Sequence, residues 1–171
     1  MLNVIIIFSA KYLYLLSIGL FVLYGFLTKK HRNDFILFSL LVLPVSFLFG
    51  VFAGHFFYNP RPFVTSNVVP LIAHISNNGF PSDHALLTGT LASIVSIFDA
   101  PMAIILWILA IFVGGARVLA HVHHTIDILG SYTIAIMSAT ILYPLISKLR
   151  APFLRVLKSF GFGEKENPML K

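Results

Sequence analysis

Residues 116–127 read ARVLAHVHHTID and separate two long apolar runs. The stretch contains Arg117, His123 and Asp127, in a chain of 171 residues that is 58% hydrophobic and only 11% charged. A soluble domain carries about 25% charged residues, so the composition indicates an integral membrane protein. The apolar runs are long and do not alternate, which favours transmembrane helices over barrel strands. Charges that are kept beside membrane spans indicate a function for these three residues.

The apolar runs predict an all-α bundle of about five transmembrane helices, in one domain that occupies residues 1–171. Each run has close to the ~20 residues that cross the hydrocarbon core of a bilayer. The predicted spans are Leu2–Leu27, which we interpret as a retained span, Phe35–Phe57, Pro81–Phe98, Met102–Ala120 and a fifth that ends near Ile146. An irregular, proline-containing segment from Tyr58 to Phe80 separates the second and third spans. We expect residues 35–146 to form the core. Residues 148–171 should form a basic tail that begins as an amphipathic interfacial helix and is disordered from Gly161.

The net charge of +6 is distributed in a way that is typical of topology signals. Nine of the twelve Lys and Arg residues lie in two clusters, which are Lys29, Lys30 and Arg32, then Lys148, Arg150, Arg155, Lys158, Lys165 and Lys171. Positive residues concentrate on the cytoplasmic side of a membrane, so we expect both clusters there, near anionic lipids, and the N-terminus outside. This placement argues against a nucleic-acid partner. The chain has no cysteine, which excludes disulfides and thiolate metal sites.

With this topology, polar residues of spans two to five converge on the extracytoplasmic face. One candidate is Arg61, because a guanidinium fork matches phosphate oxygens; the alternative is an Arg that reaches lipid headgroups. A second candidate is the segment Pro81-Ser82-Asp83-His84. It is typical of an ordinary helix cap, but a helix N-terminus also offers free N–H groups to an anion. His84 adds a group that can carry a proton near neutral pH.

The third candidate is the stretch around Arg117 itself. Asp127, on the first turn of a helix, can accept the Nδ1–H of His123 and leave Nε2 as a free lone pair, which is the arrangement of a nucleophile and its orienting group. A chance helical pair is one alternative. A zinc site built from the histidines of His121–His124 is another. We assign no role to His121 or His124.

These three groups, in this order, resemble the signature of the type 2 phosphatidic acid phosphatase (PAP2) superfamily over roughly Phe35 to Ile146. Arg61-Pro62 matches the first motif of the family. Pro81-Ser82 and His84 match the second, and the third is matched in its spacing by Arg117, His123 and Asp127. Within the superfamily, residues 59–64 and 80–84 are most similar to the bacitracin-resistance type of undecaprenyl-diphosphate phosphatase.

The resemblance implies a membrane enzyme that releases phosphate from a polyprenyl diphosphate through a phosphohistidine, without a metal or another cofactor. In that mechanism His123 attacks, Asp127 fixes its tautomer and His84 moves the proton. The phosphate would be bound by Arg61, Ser82, Asp83 and Arg117. The expected partners are the lipid phosphate and membrane lipids. The motifs leave open phosphatidate, phosphatidylglycerophosphate and lipid A as substrates. A non-enzymatic transport subunit is the alternative from another class, although it would carry its charges in mid-span.

The chain departs from the family pattern at three positions. Gly54 stands where the first motif has Lys, Asp83 where the second has Gly, and Ala116 where the third has Ser. Five spans also stand where six are usual. The missing Lys removes a phosphate-binding cation, and His55, Asn59 or other groups that hold a second phosphate are the candidate replacements.

Overall fold

The computed structural model describes residues 1–66 and 68–160, and this part of the chain is all helical with no β-strand. The helices are α1 (Leu2–Leu27), α2 (Arg32–Phe56), α3 (Pro62–Thr65), α4 (Asp83–Val95), α5 (Ala100–Leu119), α6 (Thr125–Leu142) and α7 (Leu145–Ser159). The prediction of an all-helical membrane bundle is confirmed. The predicted disorder from Gly161 to Lys171 lies outside the described residues.

Four of these helices, α1, α2, α5 and α6, are long and apolar enough to cross a membrane. The third predicted span is shorter than expected, because α4 has 13 residues and therefore rises only about 20 Å. Helical turns continue beyond it, and the N–H of Asp99 still bonds to the carbonyl of Val95 at 2.9 Å. The predicted span begins at Pro81, two residues before the observed start of α4 at Asp83. Ser82, in an extended conformation, is the N-cap, and the helix starts one residue later.

Helix α4 is the centre of the bundle and packs against α1, α2, α5 and α6. Every residue from Leu91 to Val95 is buried, which explains why a helix too short to face lipid along its length is stable here. Small side chains allow the close packing: a Cβ added at Gly89 would lie 2.7 Å from the ring of Tyr132. A hydrogen bond of 2.9 Å between Ser46 and Thr90 joins α4 to α2.

The ends of the helices define two faces of the bundle. The C-termini of α2 and α5 and the N-termini of α4 and α6 meet at what we call the site end. The opposite face, with Lys29, Lys30, Arg32 and the basic residues from Lys148 to Lys158, is the basic end. At the basic end α6 stops at Leu142, before the predicted Ile146, because Pro144 cannot supply a helical N–H. Helix α7 follows, beginning at Leu145, three residues before the predicted start of the tail, and none of its residues is buried.

Candidate functional site

The site end buries charged and polar side chains, which normally lie in contact with water. Arg61 is 4% exposed, Arg117 3% and His123 2%, while Asp127 and Ser82 are fully buried. They come from five different places in the chain: the segment after α2, the start of α4, the last turn of α5, the turn between α5 and α6, and the first turn of α6. The convergence that the topology predicts is therefore present in the structure.

His123 is held so that one ring nitrogen carries a proton and the other does not. Its Nδ1 lies 2.9 Å from the carbonyl oxygen of Gly79. A carbonyl only accepts hydrogen bonds, so Nδ1 is the protonated nitrogen. Nε2 then presents its lone pair, which lies 3.1 Å from Nη1 of Arg61. The carboxylate of Asp127 is the more distant orienting group, with Oδ2 3.4 Å from Nδ1.

The surroundings keep the imidazole of His123 neutral. Burial lowers its pKa, and the nearby guanidinium groups of Arg61 and Arg117 lower it further. The hydrogen bond and the charge of Asp127 act in the opposite direction but do not reverse the shift. A neutral imidazole with an unprotonated Nε2 is the form that can attack an electrophile.

Asp127 is the most heavily bonded acid of the site. Its Oδ1 accepts a hydrogen bond of 2.7 Å from Nδ2 of Asn59, and Oδ2 accepts one of 2.8 Å from the N–H of His124. The latter is half of a capping box at the start of α6. Asp127 therefore fixes the position of α6 relative to the segment after α2, in addition to its contact with His123.

The guanidinium of Arg61 is positioned by backbone carbonyls and an amide. Nη1 donates to the carbonyl of Val122 at 2.7 Å, Nε donates to Oδ1 of Asn77 at 2.9 Å, and Nη2 lies 3.3 Å from the carbonyl of Asn78. Burial lowers the pKa of Arg61, and the carboxylates of Asp127 and Asp83 counteract that shift. A guanidinium held in this way is aimed before any anion arrives.

Asn78 holds the irregular segment between α2 and α4 in place. Its Nδ2 donates to the carbonyls of Gly54 and Phe57 at 2.8 and 3.0 Å, and its Oδ1 accepts from the N–H groups of Asn59 and Phe80 at 2.9 and 3.0 Å. The side-chain amide of Asn78 thus uses all of its donors and acceptors. It fixes the segment in which the carbonyl of the next residue, Gly79, contacts His123.

Gly79 allows a close approach of the backbone to its neighbours at that position. A Cβ there would lie 3.0 Å from both the carbonyl oxygen of Asn59 and Oδ2 of Asp127. Any larger residue would push the backbone away from α6 and lengthen the contact between its carbonyl and His123.

The turn between α5 and α6 aims Val122 and His123 into the site. His121 has a φ of 59°, its N–H bonds to the carbonyl of Val118, and the N–H of Val122 bonds to the carbonyl of Arg117. This is a Schellman motif with His in the left-handed position where Gly is usual. His121 is thus a turn residue, and the imidazole of His124 points to the carbonyl of Pro60, 3.2 Å from Nε2.

The start of α4 presents donors without acceptors. Ser131 accepts a 2.9 Å hydrogen bond from the N–H of Ser82 and fixes this N-cap against α6. The hydroxyl of Ser82 is buried, caps no N–H of α4, and has no partner among the described residues. Nε of Arg117 is in the same condition, although its Nη1 lies 3.3 Å from the carbonyl of Ala10. Buried donors are normally hydrogen-bonded, so these two groups are available to an acceptor that binds at this end of the bundle.

Helix α1 also reaches the site. The ring of Tyr14 packs edge-on against the imidazole of His84, with centroids 4.7 Å apart. The imidazole of His84 also lies near the guanidinium of Arg117 and the imidazole of His123. Asp83, beside it, is exposed, and its carboxylate lies near Arg61 and Arg117. Its backbone N–H is the group of this residue that can donate to an anion.

The structure explains why position 54 is Gly and not the Lys of the family pattern. A Cβ at this position would lie 2.9 Å from the carbonyl oxygen of Phe80 and 3.3 Å from Cδ of Pro81. The backbone before α4 therefore occupies the place where a Lys side chain would start. Of the proposed replacements, Asn59 is bonded to Asp127, and His55 is exposed and packs edge-on against Phe56.

Several residues of this site are absent from our sequence predictions. The carbonyl of Gly79, the amide of Asn78 and the imidazole of His74 have no motif that identifies them, and Asn59 was named only as a candidate replacement for the missing Lys. His74 lies in the segment before α4, with its ring centroid 6.2 Å from that of His123. The clustering of Asn77 and Asn78 before a Gly was the available signal, since such residues form turns with side-chain hydrogen bonds.

The described residues contain no group of three or more His, Asp or Glu side chains placed to hold a metal ion. The histidines of the His121–His124 stretch diverge. Nδ1 of His123 meets the carbonyl of Gly79, whereas Nε2 of His124 meets that of Pro60.

Comparisons with known proteins place this geometry in context. The sequence pattern of the PAP2 superfamily matches residues 35–151. Bacitracin transport permease protein BcrC of Bacillus licheniformis is 30% identical over 151 residues, which are 87% of this chain and 74% of that protein. Undecaprenyl-diphosphatase BcrC of Bacillus subtilis (strain 168) is 39% identical over 101 residues, which are 57% of this chain and 50% of that protein. The crystal structure of Aquifex aeolicus LpxE has a TM-score of 0.67 and 24% identity, over 82% of this chain and 84% of that chain, which shows a shared fold.

Proposed function

The chain belongs to the PAP2 superfamily, and on that premise we propose that this multi-pass membrane phosphatase hydrolyses a polyprenyl diphosphate, with undecaprenyl diphosphate as the substrate. The products are the monophosphate carrier lipid and inorganic phosphate. The resemblance to the superfamily and to its bacitracin-resistance type, predicted from the motifs, is confirmed by the matches.

The observation that carries the proposal is the unprotonated Nε2 of His123, at the same end of the bundle as two buried donors without partners. Nδ1–H is held by the carbonyl of Gly79, and Nε2 faces the guanidinium of Arg61. The buried hydroxyl of Ser82 and Nε of Arg117 have no partner among the described residues. A phosphoryl group at Nε2 would supply the acceptors that these donors lack.

In the first step Nε2 of His123 attacks the terminal phosphorus. The bond between nitrogen and phosphorus forms as the bond from phosphorus to the bridging oxygen breaks. His84 gives its proton to that oxygen, so the lipid monophosphate leaves. Arg61 and Arg117 stabilise the charge on the phosphoryl oxygens, a contribution of preorganised electrostatics that needs no movement at the moment of reaction.

In the second step water releases phosphate from His123. His84, now neutral, takes a proton from the water as its oxygen attacks phosphorus, and the nitrogen–phosphorus bond breaks. His123 returns to its neutral form, and His84 is protonated for the next turnover. General acid–base assistance of this kind contributes about 10²–10⁴-fold to the rate.

The choice of lipid rests on the relatives rather than on the motifs. The B. subtilis relative is named as an undecaprenyl-diphosphatase, and phosphatidate, phosphatidylglycerophosphate and lipid A are the alternative substrates. The name of the B. licheniformis relative refers to transport. A transport subunit would place charges in mid-span, whereas the buried charges here lie at one end of the bundle.

A substrate panel tests the function. Purified protein in detergent should release phosphate from undecaprenyl diphosphate with a kcat/KM at least tenfold above that for phosphatidate or phosphatidylglycerophosphate. His123→Ala should abolish release, and His31→Ala, at the basic end, should not. A preference for phosphatidate would replace the proposed substrate, and full activity in His123→Ala would sink the mechanism.

We propose that turnover needs no metal ion. The charge that a metal would neutralise is met by Arg61 and Arg117 in this mechanism. Turnover should be unchanged after dialysis against EDTA. A strict requirement for Zn²⁺ or Mg²⁺, restored by the metal after chelation, would contradict this mechanism.

We also propose that the site end faces the outside of the cell and the basic end the cytoplasm. The chain has no cysteine, so single-cysteine variants report one position each. Val69→Cys, at an exposed position of the site end, should react with a membrane-impermeant maleimide in intact cells. Lys158→Cys, on α7, should react only after lysis. The reverse pattern would place the site on the cytoplasmic face.

A further inference from the structure

A third imidazole borders the site from a segment that none of the motifs covers. His74 lies between α3 and α4, with its ring edge-on to that of His123 at a centroid distance of 6.2 Å and an interplanar angle of 77°. The side chain is half-buried. Neither the attack nor the proton transfer of the proposed mechanism uses it.

His74 faces the same groups that would surround a bound phosphate. Burial lowers its pKa, and Arg61, Arg117 and His123 are close enough to lower it as well. Nδ1 lies 3.3 Å from the carbonyl of Ile75, and Nε2 has no hydrogen-bond partner among the described residues. The imidazole is therefore free to turn Nε2 toward a ligand.

The site has few cations for an anion that carries two phosphates. Among the described residues, Arg61 and Arg117 are the permanent cations buried at the site. The carboxylates of Asp127 and Asp83 lie near Arg61 and partly offset its charge. The family's third cation is missing at Gly54, where the carbonyl of Phe80 fills its place. A diphosphate carries more negative charge than a phosphate monoester, so its binding to this site calls for a further donor.

We propose that His74 binds the phosphoryl group that stays on the lipid, and so forms a second phosphate subsite that selects diphosphates over monophosphates. The terminal phosphorus must come within about 3–3.5 Å of Nε2 of His123 before attack. With its ring centroid 6.2 Å from that of His123, His74 can reach a second phosphoryl group that is bonded to the first. Once a diphosphate is bound, its charge favours the imidazolium, whose two N–H groups donate to Ile75 and to the phosphoryl oxygen.

This inference rests on the proposed function, because it concerns the second phosphate of that substrate. Its test therefore measures binding without turnover. Isothermal titration of the purified protein in detergent gives the Kd of methylene diphosphonate, which cannot be hydrolysed, and of inorganic phosphate. His74→Asn should weaken diphosphonate binding about ten- to a hundredfold, the loss of one hydrogen bond to a charged group, and change phosphate binding less than about twofold.

Two variants complete the experiment. His31→Asn, at the opposite end of the bundle, is the matched control and should bind both ligands as the unchanged protein does. His74→Lys, which restores a cation, should recover most of the diphosphonate affinity. Equal losses of both ligands in His74→Asn, or no loss of either, would overturn the subsite. A wild-type enzyme that hydrolyses only monophosphates would refute the proposed substrate, while the ratio of the two Kd values would still report on His74.

Discussion

The site end and the basic end both contain an Arg close to an Asp, and the two pairs differ in almost every physical respect. At the site end, Arg61 and Asp127 are 4% and 0% exposed, and backbone groups and amides satisfy them. At the basic end, Nε of Arg150 lies 2.9 Å from Oδ1 of Asp34, but the two side chains are 57% and 20% exposed. The basic end thus resembles an ordinary surface.

The difference shows which charges are maintained at a cost. Burial of a guanidinium costs several kcal/mol unless hydrogen bonds compensate it, whereas an exposed ion pair contributes about 0–1 kcal/mol. A protein keeps the first kind of arrangement where a prepositioned charge has a use. The second kind agrees with a role in orientation and in contact with lipid headgroups.

The two ends should differ most in activity when one Arg is removed from each. Arg61→Ala should lower kcat/KM for phosphate release by about 10³-fold or more, because it removes a cation that is aimed at the transferring group. Arg150→Ala should stay within about twofold of the unchanged enzyme. Arg61→Lys should recover only part of the activity, since it keeps the charge and loses the fork. More than a tenth of normal activity in Arg61→Ala would place the phosphate elsewhere.

The second prediction concerns the two groups that orient His123. In serine proteases, Asp→Asn in the triad lowers kcat about 10⁴-fold because the tautomer is lost. Here the carbonyl of Gly79 holds Nδ1–H at 2.9 Å, closer than Asp127 at 3.4 Å. Asp127→Asn should therefore lower kcat only about 10- to 100-fold.

Steady-state assays of Asp127→Asn beside Asn59→Ala give the control, because Asn59 touches Asp127 and not the imidazole of His123. Asn59→Ala should cost less activity than Asp127→Asn. A loss near 10⁴-fold in Asp127→Asn would make the carboxylate the principal orienting group and the carbonyl of Gly79 secondary.

The third prediction uses two glycines in different surroundings. Gly54→Ala should destabilise the protein by about 1–3 kcal/mol, because the new Cβ would lie 2.9 Å from the carbonyl of Phe80. Gly19→Ala on α1 has nothing within 4 Å and should be neutral or stabilising by up to about 1 kcal/mol. Thermal unfolding in detergent measures both. Equal stability of the two variants would mean that the segment before α4 can move aside.

The helices and their convergence were readable from the sequence, because hydrophobic length fixes spans and span order fixes which ends meet. The limits of that reasoning appear at two prolines. Helix α2 continues through Pro44, whereas α6 ends before Pro144. Neighbouring helices can satisfy the backbone groups freed by a proline within the bundle. That compensation depends on packing, which a single sequence does not contain.

The side chains named by the motifs were also predictable, but the groups that hold them were not. The partner of His123 at Nδ1 is the backbone of Gly79, 44 positions away in the chain. A backbone carbonyl leaves no residue type to recognise. The same applies to Val122, whose carbonyl orients Arg61. His74 could not be predicted as a site residue, because a single His in an irregular segment belongs to no periodic pattern or motif spacing.

The smallest expected effect is a shift in the pKa of one residue, His123. Burial and two guanidinium groups lower the pKa of His123, so its imidazole should remain neutral as pH falls through the ordinary histidine value of about 6.5. NMR of ¹³C-labelled histidine in detergent, assigned with His123→Ala, gives the titration directly. Asp127 raises this pKa, so Asp127→Asn should lower it further, whereas Arg61→Gln should raise it. A titration above 6.5 in the unchanged protein would mean that the carboxylate outweighs burial and both cations. The site end would then hold a charged ion pair, as the basic end does, instead of a neutral nucleophile.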